Sequence, residues 1–172
     1  MADAQPPDRT DPPEAAPEKE TLAAFLDYHR ATLLWKVDGL SEGDLRRRLT
    51  PSGMSLLGLV KHLAYVERWW FQVVFAGADV PFPWTDEDPD ADWRPEPDES
   101  AAGILDLYRS EAARSRAILA GAALDDLAKR PHHPRDGGQS LSWIVIHMIE
   151  ETARHNGHAD LMREAIDGMT GE

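Results

Sequence analysis

The sequence predicts an all-α protein, specifically a four-helix bundle with one long crossover connection. In four separate stretches of the 172-residue chain, apolar residues recur at alternating steps of three and four, which turns one face of a helix toward a core. No stretch has the strict apolar/polar alternation of a β-strand, and no internal repeat is present. The link between the second and third stretches is long and rich in proline, which favours a crossover connection.

Residues 1–18 are predicted to form a disordered tail. They are rich in proline, aspartate, glutamate and alanine and contain almost no large apolar side chain. Such a segment buries too little surface to offset the entropy lost on ordering. The predicted bundle domain therefore comprises residues 19–172.

The first long helix is predicted from Glu18 to Gly39, where the glycine is a suitable C-cap. Its apolar residues at helical spacing are Leu22, Phe25, Leu26, Leu33 and Val37. A short connecting helix of about two turns follows, with Ser41 as its N-cap and Pro51 beyond its end.

The second long helix is predicted from about Ser55 to Gly77, with His62 at the edge of its inward face. An acidic insertion at about 78–99 follows, and it contains Trp84 and Trp93 among many prolines. A solvated loop has no need of two tryptophans. We therefore expect a crossover connection whose aromatic residues hold it against the bundle, and the alternative is a lid over a site.

The third helix is predicted to begin after Asp98 or Ser100 and to end near Gly121. The fourth is predicted as one long helix from Ser140 to Gly168. Its inward positions are Leu141, Val145, Met148, Thr152, His155, Ala159, Met162 and Ile166. A histidine at such a position is unusual and marks this helix as a candidate site.

Composition excludes several functions. The chain has 31 acidic and 18 basic residues, a net charge of −13, which argues against binding to nucleic acid or to an anionic membrane. The absence of cysteine excludes disulfides, thiolate metal ligands and a cysteine nucleophile. The N-terminus has no basic and apolar signal pattern, and no apolar run has the length of a membrane span, so we expect a cytoplasmic protein.

Three residues form the candidate metal site, His62 from the second long helix and Glu151 and His155 from the fourth. Residues four apart project from one helix face, so two ligands can share a helix while a facing helix supplies the third. Imidazole and carboxylate suit zinc, nickel, iron or manganese, and three protein ligands leave coordination positions open, as in catalytic sites. The alternative is that His155 is an ordinary core histidine that hydrogen-bonds to a neighbour.

The other histidines are interpreted differently. His147 with Glu151 is an alternative ligand pair, but His147 points toward the flank of the inward face and is interpreted as a non-ligand. His158 lies one heptad beyond Glu151 and is predicted to donate a hydrogen bond to a ligand or a bound substrate. The remaining three are expected to be exposed or partly packed without a catalytic role, namely His29, His132 and His133.

Two segments resemble the DinB-like superfamily, in particular its DUF664 branch. They are residues 56–70, LLGLVKHLAYVERWW, and residues 150–164, EETARHNGHADLMRE. The resemblance covers almost the whole chain beyond the tail. It implies a four-helix bundle with a long crossover that holds a divalent metal at His62, Glu151 and His155.

The His-Glu-His set resembles that of mycothiol-dependent maleylpyruvate isomerases, which use zinc, although many superfamily members have histidine at the position of Glu151. The resemblance implies a thiol S-transferase or isomerase. Such an enzyme uses a low-molecular-weight thiol such as mycothiol, whose pKa the metal lowers, against a small-molecule electrophile. A cofactor thiol would fit the absence of cysteine. The alternatives are a metal-binding or stress-associated bundle without turnover and a purely structural dimerising bundle, and exposed tryptophans favour a homodimer.

Overall fold

The computed structural model describes residues 9–132 and 138–171. Its elements, in chain order, are α1 (Glu18–Val37), α2 (Glu42–Leu45), α3 (Leu56–Glu67), a π-helical segment (Arg68–Phe75), a 3₁₀ turn (Ala91–Trp93), α4 (Ala101–Gly121) and α5 (Leu141–Asp167). Within the described residues the only β pairing is an isolated bridge between Leu127 and Ser140. The predicted all-α bundle is confirmed, with α1 packed mainly on α5 and α3 mainly on α4.

Serine caps start three of the long helices. The hydroxyls of Ser55, Ser100 and Ser140 each accept a hydrogen bond from the backbone N–H three residues later, which satisfies one unpaired donor of the first turn. Ser100, rather than Asp98, is therefore the cap of α4. At the other end of α5, Gly168 has a φ of +80°, the left-handed conformation that ends many helices.

The second predicted helix differs from expectation because it changes type at its middle. It is α-helical to Glu67 and π-helical from Arg68 to Phe75, where each turn contains more residues. Most side chains of the π segment are buried: Trp70, Phe71, Val73, Val74 and Phe75. This broad apolar face is compatible with either helix type, so the spacing of apolar residues does not reveal the change. The connecting helix α2 is also shorter than the two turns predicted.

Two apolar clusters form the core, and a layer of buried polar residues lies between them. One cluster includes Leu33, Leu59 and Met162, and the other includes Leu26 and Phe71. The middle of each long helix contributes to the polar layer, whose members are Arg30, Glu67, Glu111, Ser115, Thr152, His155 and Asn156. In this layer the Arg30 guanidinium donates to both carboxylate oxygens of Glu67, each at 2.7 Å.

The N-terminal segment lies against α1 where it is described. The Arg9 guanidinium donates to the Tyr28 hydroxyl and lies 4.9 Å from the ring centroid of Trp35. The rest of the predicted disordered tail, residues 1–8, lies outside the described residues. None of the described helices combines the length and apolarity that a membrane span needs.

Candidate metal centre

The structure brings together the three residues predicted as metal ligands. His62 on α3 and Glu151 and His155 on α5 each place one ligating atom within 4.8 Å of the other two. Glu151 Oε1 lies 3.1 Å from His155 Nε2 and 3.8 Å from His62 Nε2. The carboxylate therefore lies between two imidazole nitrogens, and we call these three residues the triad.

The triad is closed on the protein side and partly open to solvent. His155 is buried, while the side chains of His62 and Glu151 are 14% and 19% exposed. The hydrogen bond with His155 and the nearby His62 imidazole hold the pKa of Glu151 well below its usual range, so this group is a carboxylate at neutral pH. Two imidazoles, one carboxylate and an open side are a donor set that fits zinc or a similar divalent cation.

A carboxylate outside the triad orients His62. Asp92, which is buried in the 3₁₀ turn, places Oδ2 2.7 Å from His62 Nδ1. Burial alone would lower the pKa of His62, but the hydrogen bond with Asp92 and the nearby Glu151 carboxylate outweigh burial and raise the pKa. An Nδ1–H that donates to Asp92 leaves the lone pair on Nε2, the nitrogen that faces Glu151. This is the tautomer that a metal ligand requires.

The crossover also covers one face of His62. The Trp93 ring stacks on the imidazole with centroids 3.7 Å apart and planes 15° apart, and it meets the His155 ring edge to face with centroids 5.4 Å apart. The insertion at 78–99 thus contributes to the site. We call residues 91–94 the strap, because they cross α3 beside the triad.

A glycine on α3 allows the strap to approach so closely. Gly58 lies one helical turn before His62, and a Cβ built on it would be 2.2 Å from the Trp93 carbonyl oxygen. The buried Lys61 ammonium adds a hydrogen bond to the Arg94 carbonyl at 2.8 Å and an ion pair with Glu99 at 2.8 Å. The strap is therefore anchored to α3 on both sides of Trp93, as expected of a crossover held against the bundle.

His158 lies beside the other histidine of the triad. Its Nδ1 is 3.3 Å from Nδ1 of His155, so one imidazole can donate to the other. Because His155 directs Nε2 toward Glu151, His158 meets the outer nitrogen, as a hydrogen-bonding partner of a ligand would.

The remaining histidines have other surroundings. His147 lies in an aromatic cluster, where it stacks on Trp143 with centroids 5.2 Å apart and meets Trp70 edge to face with centroids 4.6 Å apart. His132 also contacts Trp70, and His29 contacts Tyr28. His133 lies outside the described residues.

A cavity of about 300 Å³ opens next to His62, between the α3 end of the bundle and the insertion. Its lining consists of His62, Val66, Trp69, Trp70, Trp84, Pro89, Asp92 and Trp93. Within the described part of the chain, this lining contains neither lysine nor arginine. A mostly apolar cavity with a few polar groups at one end is typical of a small-molecule site.

Comparisons with known proteins identify the family of the chain. The family model for mycothiol S-transferase matches residues 21–168. The chain belongs to the mycothiol S-transferase family. Among solved structures, it is similar to a conserved protein from Enterococcus faecalis, with a TM-score of 0.65, 14% identity, and coverage of 90% of this chain and 100% of that one. This second likeness shows the fold alone, and no curated protein matches the chain.

For this mycothiol S-transferase family member, the sequence did not reveal Asp92 or Gly58 as parts of the site, and it predicted that Trp93 packs on the bundle but not that it stacks on His62. The two tryptophans of the insertion indicated that it packs on the bundle, but nothing in its pattern paired Asp92 with His62. Gly58 on an apolar helix face, one turn before a predicted ligand, was the available signal for a close backbone approach.

Proposed function

We propose that the triad binds a divalent cation, with zinc the best fit, and that the chain transfers a small electrophile to a low-molecular-weight thiol of the mycothiol type. The observation that carries this proposal is the convergence of His62, Glu151 and His155 within 4.8 Å, with Asp92 on the outer nitrogen of His62. Membership of the mycothiol S-transferase family supports the thiol.

The reaction joins the sulfur of the thiol to an electrophilic carbon. The C–S bond forms with the electron pair of the thiolate, the bond to the leaving group breaks with its pair, and the thiol proton is released. A divalent cation supplies the Lewis acidity that lowers the thiol's pKa. With no cysteine in the chain, the sulfur nucleophile comes from the cofactor.

The protein's own groups prepare the site for this chemistry. Asp92 holds a proton on His62 Nδ1, and Glu151 supplies one negative charge next to both imidazoles. Trp93 excludes water from one face of His62. The exposed side of the triad faces solvent and can admit the thiol.

Metal analysis followed by a thiol-consumption assay tests the proposal. Protein purified without an affinity tag is expected to contain a stoichiometric divalent metal, and His155→Ala is expected to lose it. With mycothiol and 1-chloro-2,4-dinitrobenzene, the metal-loaded protein is expected to consume thiol above the background rate. His147→Gln is the matched control, because it removes a histidine from α5 outside the triad and should retain metal and activity.

The outcomes separate the candidate functions. Metal without metal-dependent thiol consumption would indicate a metal-binding bundle without turnover. Negligible metal in both wild type and His155→Ala would exclude both functions and leave a structural bundle. A cytoplasmic location and a homodimer stay predictions.

A further inference from the structure

The walls of the cavity beside His62 are aromatic and held in place. Trp84 stacks on Phe82 with centroids 4.2 Å apart, and Trp69 meets both rings edge to face, with its centroid 6.4 Å from that of Trp84 and 5.6 Å from that of Phe82. Tyr65 supports the same group from α3, at 6.0 Å from Trp84. Walls fixed by such packing suit a flat ring, because aromatic groups stack without first having to order the site.

Among the residues that the structure describes, the cavity lining also offers no lysine or arginine to pair with an anion. Three basic residues of α3, the π segment and the strap are already paired: Arg68 with Glu111, Lys61 with Glu99 and Arg94 with Asp88. The polar end of the cavity carries Asp92, and the insertion adds several exposed carboxylates, namely Asp86, Glu87 and Asp90. An anionic substrate would have to leave water for a site that is itself negatively charged, which is unfavourable.

A cation on the triad does not reverse this balance. The two positive charges of a divalent ion are matched by the carboxylates of Glu151 and Asp92, both close to His62. The thiolate of the cofactor would add a further negative charge. A dicarboxylate such as maleylpyruvate therefore meets no excess positive charge among the described residues of this site.

We propose that the second substrate is an uncharged electrophile with a flat apolar or aromatic group, and that this group occupies the cavity between Val66, Trp69, Trp84 and Trp93. The inference rests on the proposed S-transfer and specifies its electrophile. It favours transfer to a neutral molecule over isomerisation of a dicarboxylate.

Binding of unreactive probes tests the cavity apart from catalysis. We expect 1,3-dinitrobenzene to bind at least about tenfold more tightly than 3,5-dinitrobenzoate, which differs by one carboxylate, in calorimetric titrations without thiol. Trp84→Ala should weaken the binding of the neutral probe. Equal or tighter binding of the benzoate would overturn the inference, and so would failure of the neutral probe to bind.

Adding a positively charged side chain to the cavity wall should reverse the preference for the neutral probe. Val66→Lys places an ammonium in the lining, and Pro89→Lys does so at the exposed rim if the first variant folds poorly. Each is expected to favour the benzoate, while Leu161→Lys, on an exposed part of α5, serves as the charge-matched control and should not. An unchanged preference in a folded Val66→Lys or Pro89→Lys protein would contradict the proposed location.

A kinetic comparison links the cavity to transfer. With mycothiol, kcat/KM for 1-chloro-2,4-dinitrobenzene should exceed kcat/KM for 4-chloro-3,5-dinitrobenzoate. Val66→Lys should bring these two kcat/KM values closer together. Absent turnover with selective probe binding would refute the S-transfer and leave the cavity's selectivity intact. Turnover that favours the benzoate would refute the selectivity and leave the S-transfer intact.

Discussion

His62 and His155 face the same carboxylate, but different parts of the chain hold their outer nitrogens. A carboxylate from the crossover, Asp92, hydrogen-bonds to His62 across thirty residues of sequence. A neighbour on the same helix, His158, meets His155 only three residues away. The α3 side of the site thus depends on a distant loop and on a charge, whereas the α5 side is built within one helix.

The largest effect is expected when either histidine is removed, because each supplies one donor of the triad. His62→Ala and His155→Ala should each lower the affinity for Zn²⁺ by more than about 100-fold, a larger loss than removal of a ligand's hydrogen-bonding partner causes. Competition with a chromophoric chelator measures this. If His155→Ala alone bound Zn²⁺ nearly as tightly as wild type, His158 would be acting as a ligand. The two sides of the site would then not differ as described.

A smaller loss is expected for Asp92→Asn. The amide keeps the size of the side chain but removes the negative charge that orients His62 and raises its basicity. Zn²⁺ affinity should fall by about 10 to 100-fold, with the fold and the helix content unchanged by circular dichroism. Asp90→Asn, which removes an exposed carboxylate just before the strap, is the control and should bind Zn²⁺ like wild type.

Two glycines sharpen the contrast between α3 and α5. Gly58→Ala forces a methyl group against the Trp93 carbonyl and should destabilise the protein by about 1–3 kcal/mol while weakening metal binding. A Cβ on Gly157, which lies between His155 and His158, meets nothing within 4 Å. Gly157→Ala should therefore stabilise the protein by about 0.5–1 kcal/mol. Thermal unfolding of both variants checks this, and equal shifts would mean that the strap does not require Gly58.

The smallest effect is expected for His158→Gln. Glutamine can still hydrogen-bond to His155, and a neutral partner contributes less to ligand basicity than a carboxylate does. Zn²⁺ affinity should fall by less than about tenfold, below the loss for Asp92→Asn. The same chelator competition measures this loss of affinity. A loss equal to that of Asp92→Asn would mean that the α3 and α5 sides of the site do not differ in how strongly they depend on the hydrogen-bonding partner of the histidine.

The same contrast explains how much of the site could be predicted from the sequence. Glu151, His155 and His158 lie on one helix, where spacing alone determines which side chains share a face, and His62 lies on the inward edge of a strongly patterned helix. Asp92 and Trp93 occupy an irregular segment without periodicity. Their positions depend on tertiary contacts, including the space above Gly58, that no local pattern contains.

The helices could be predicted for a related reason. Serine caps and apolar spacing are local signals, and they predicted the starts of α4 and α5 well. The π segment could not be predicted, because a face with this many buried aromatic and branched residues fits either helix type. The polar layer was also missed, since Arg30 and Glu67 become a buried pair only when α1 and α3 meet.

That buried pair links α1 to the candidate metal site although α1 supplies none of the triad. At the height of the triad, α1 is bound to both ligand helices: Arg30 pairs with Glu67 of α3, and the His29 carbonyl accepts a hydrogen bond at 3.0 Å from Asn156, the residue after His155. Sliding α1 by one turn would leave buried charges unpaired, at a cost of about 3–5 kcal/mol. The first helix is thus tied to both ligand helices by buried polar contacts, and we expect a change at Arg30 to alter metal affinity although Arg30 supplies no ligand.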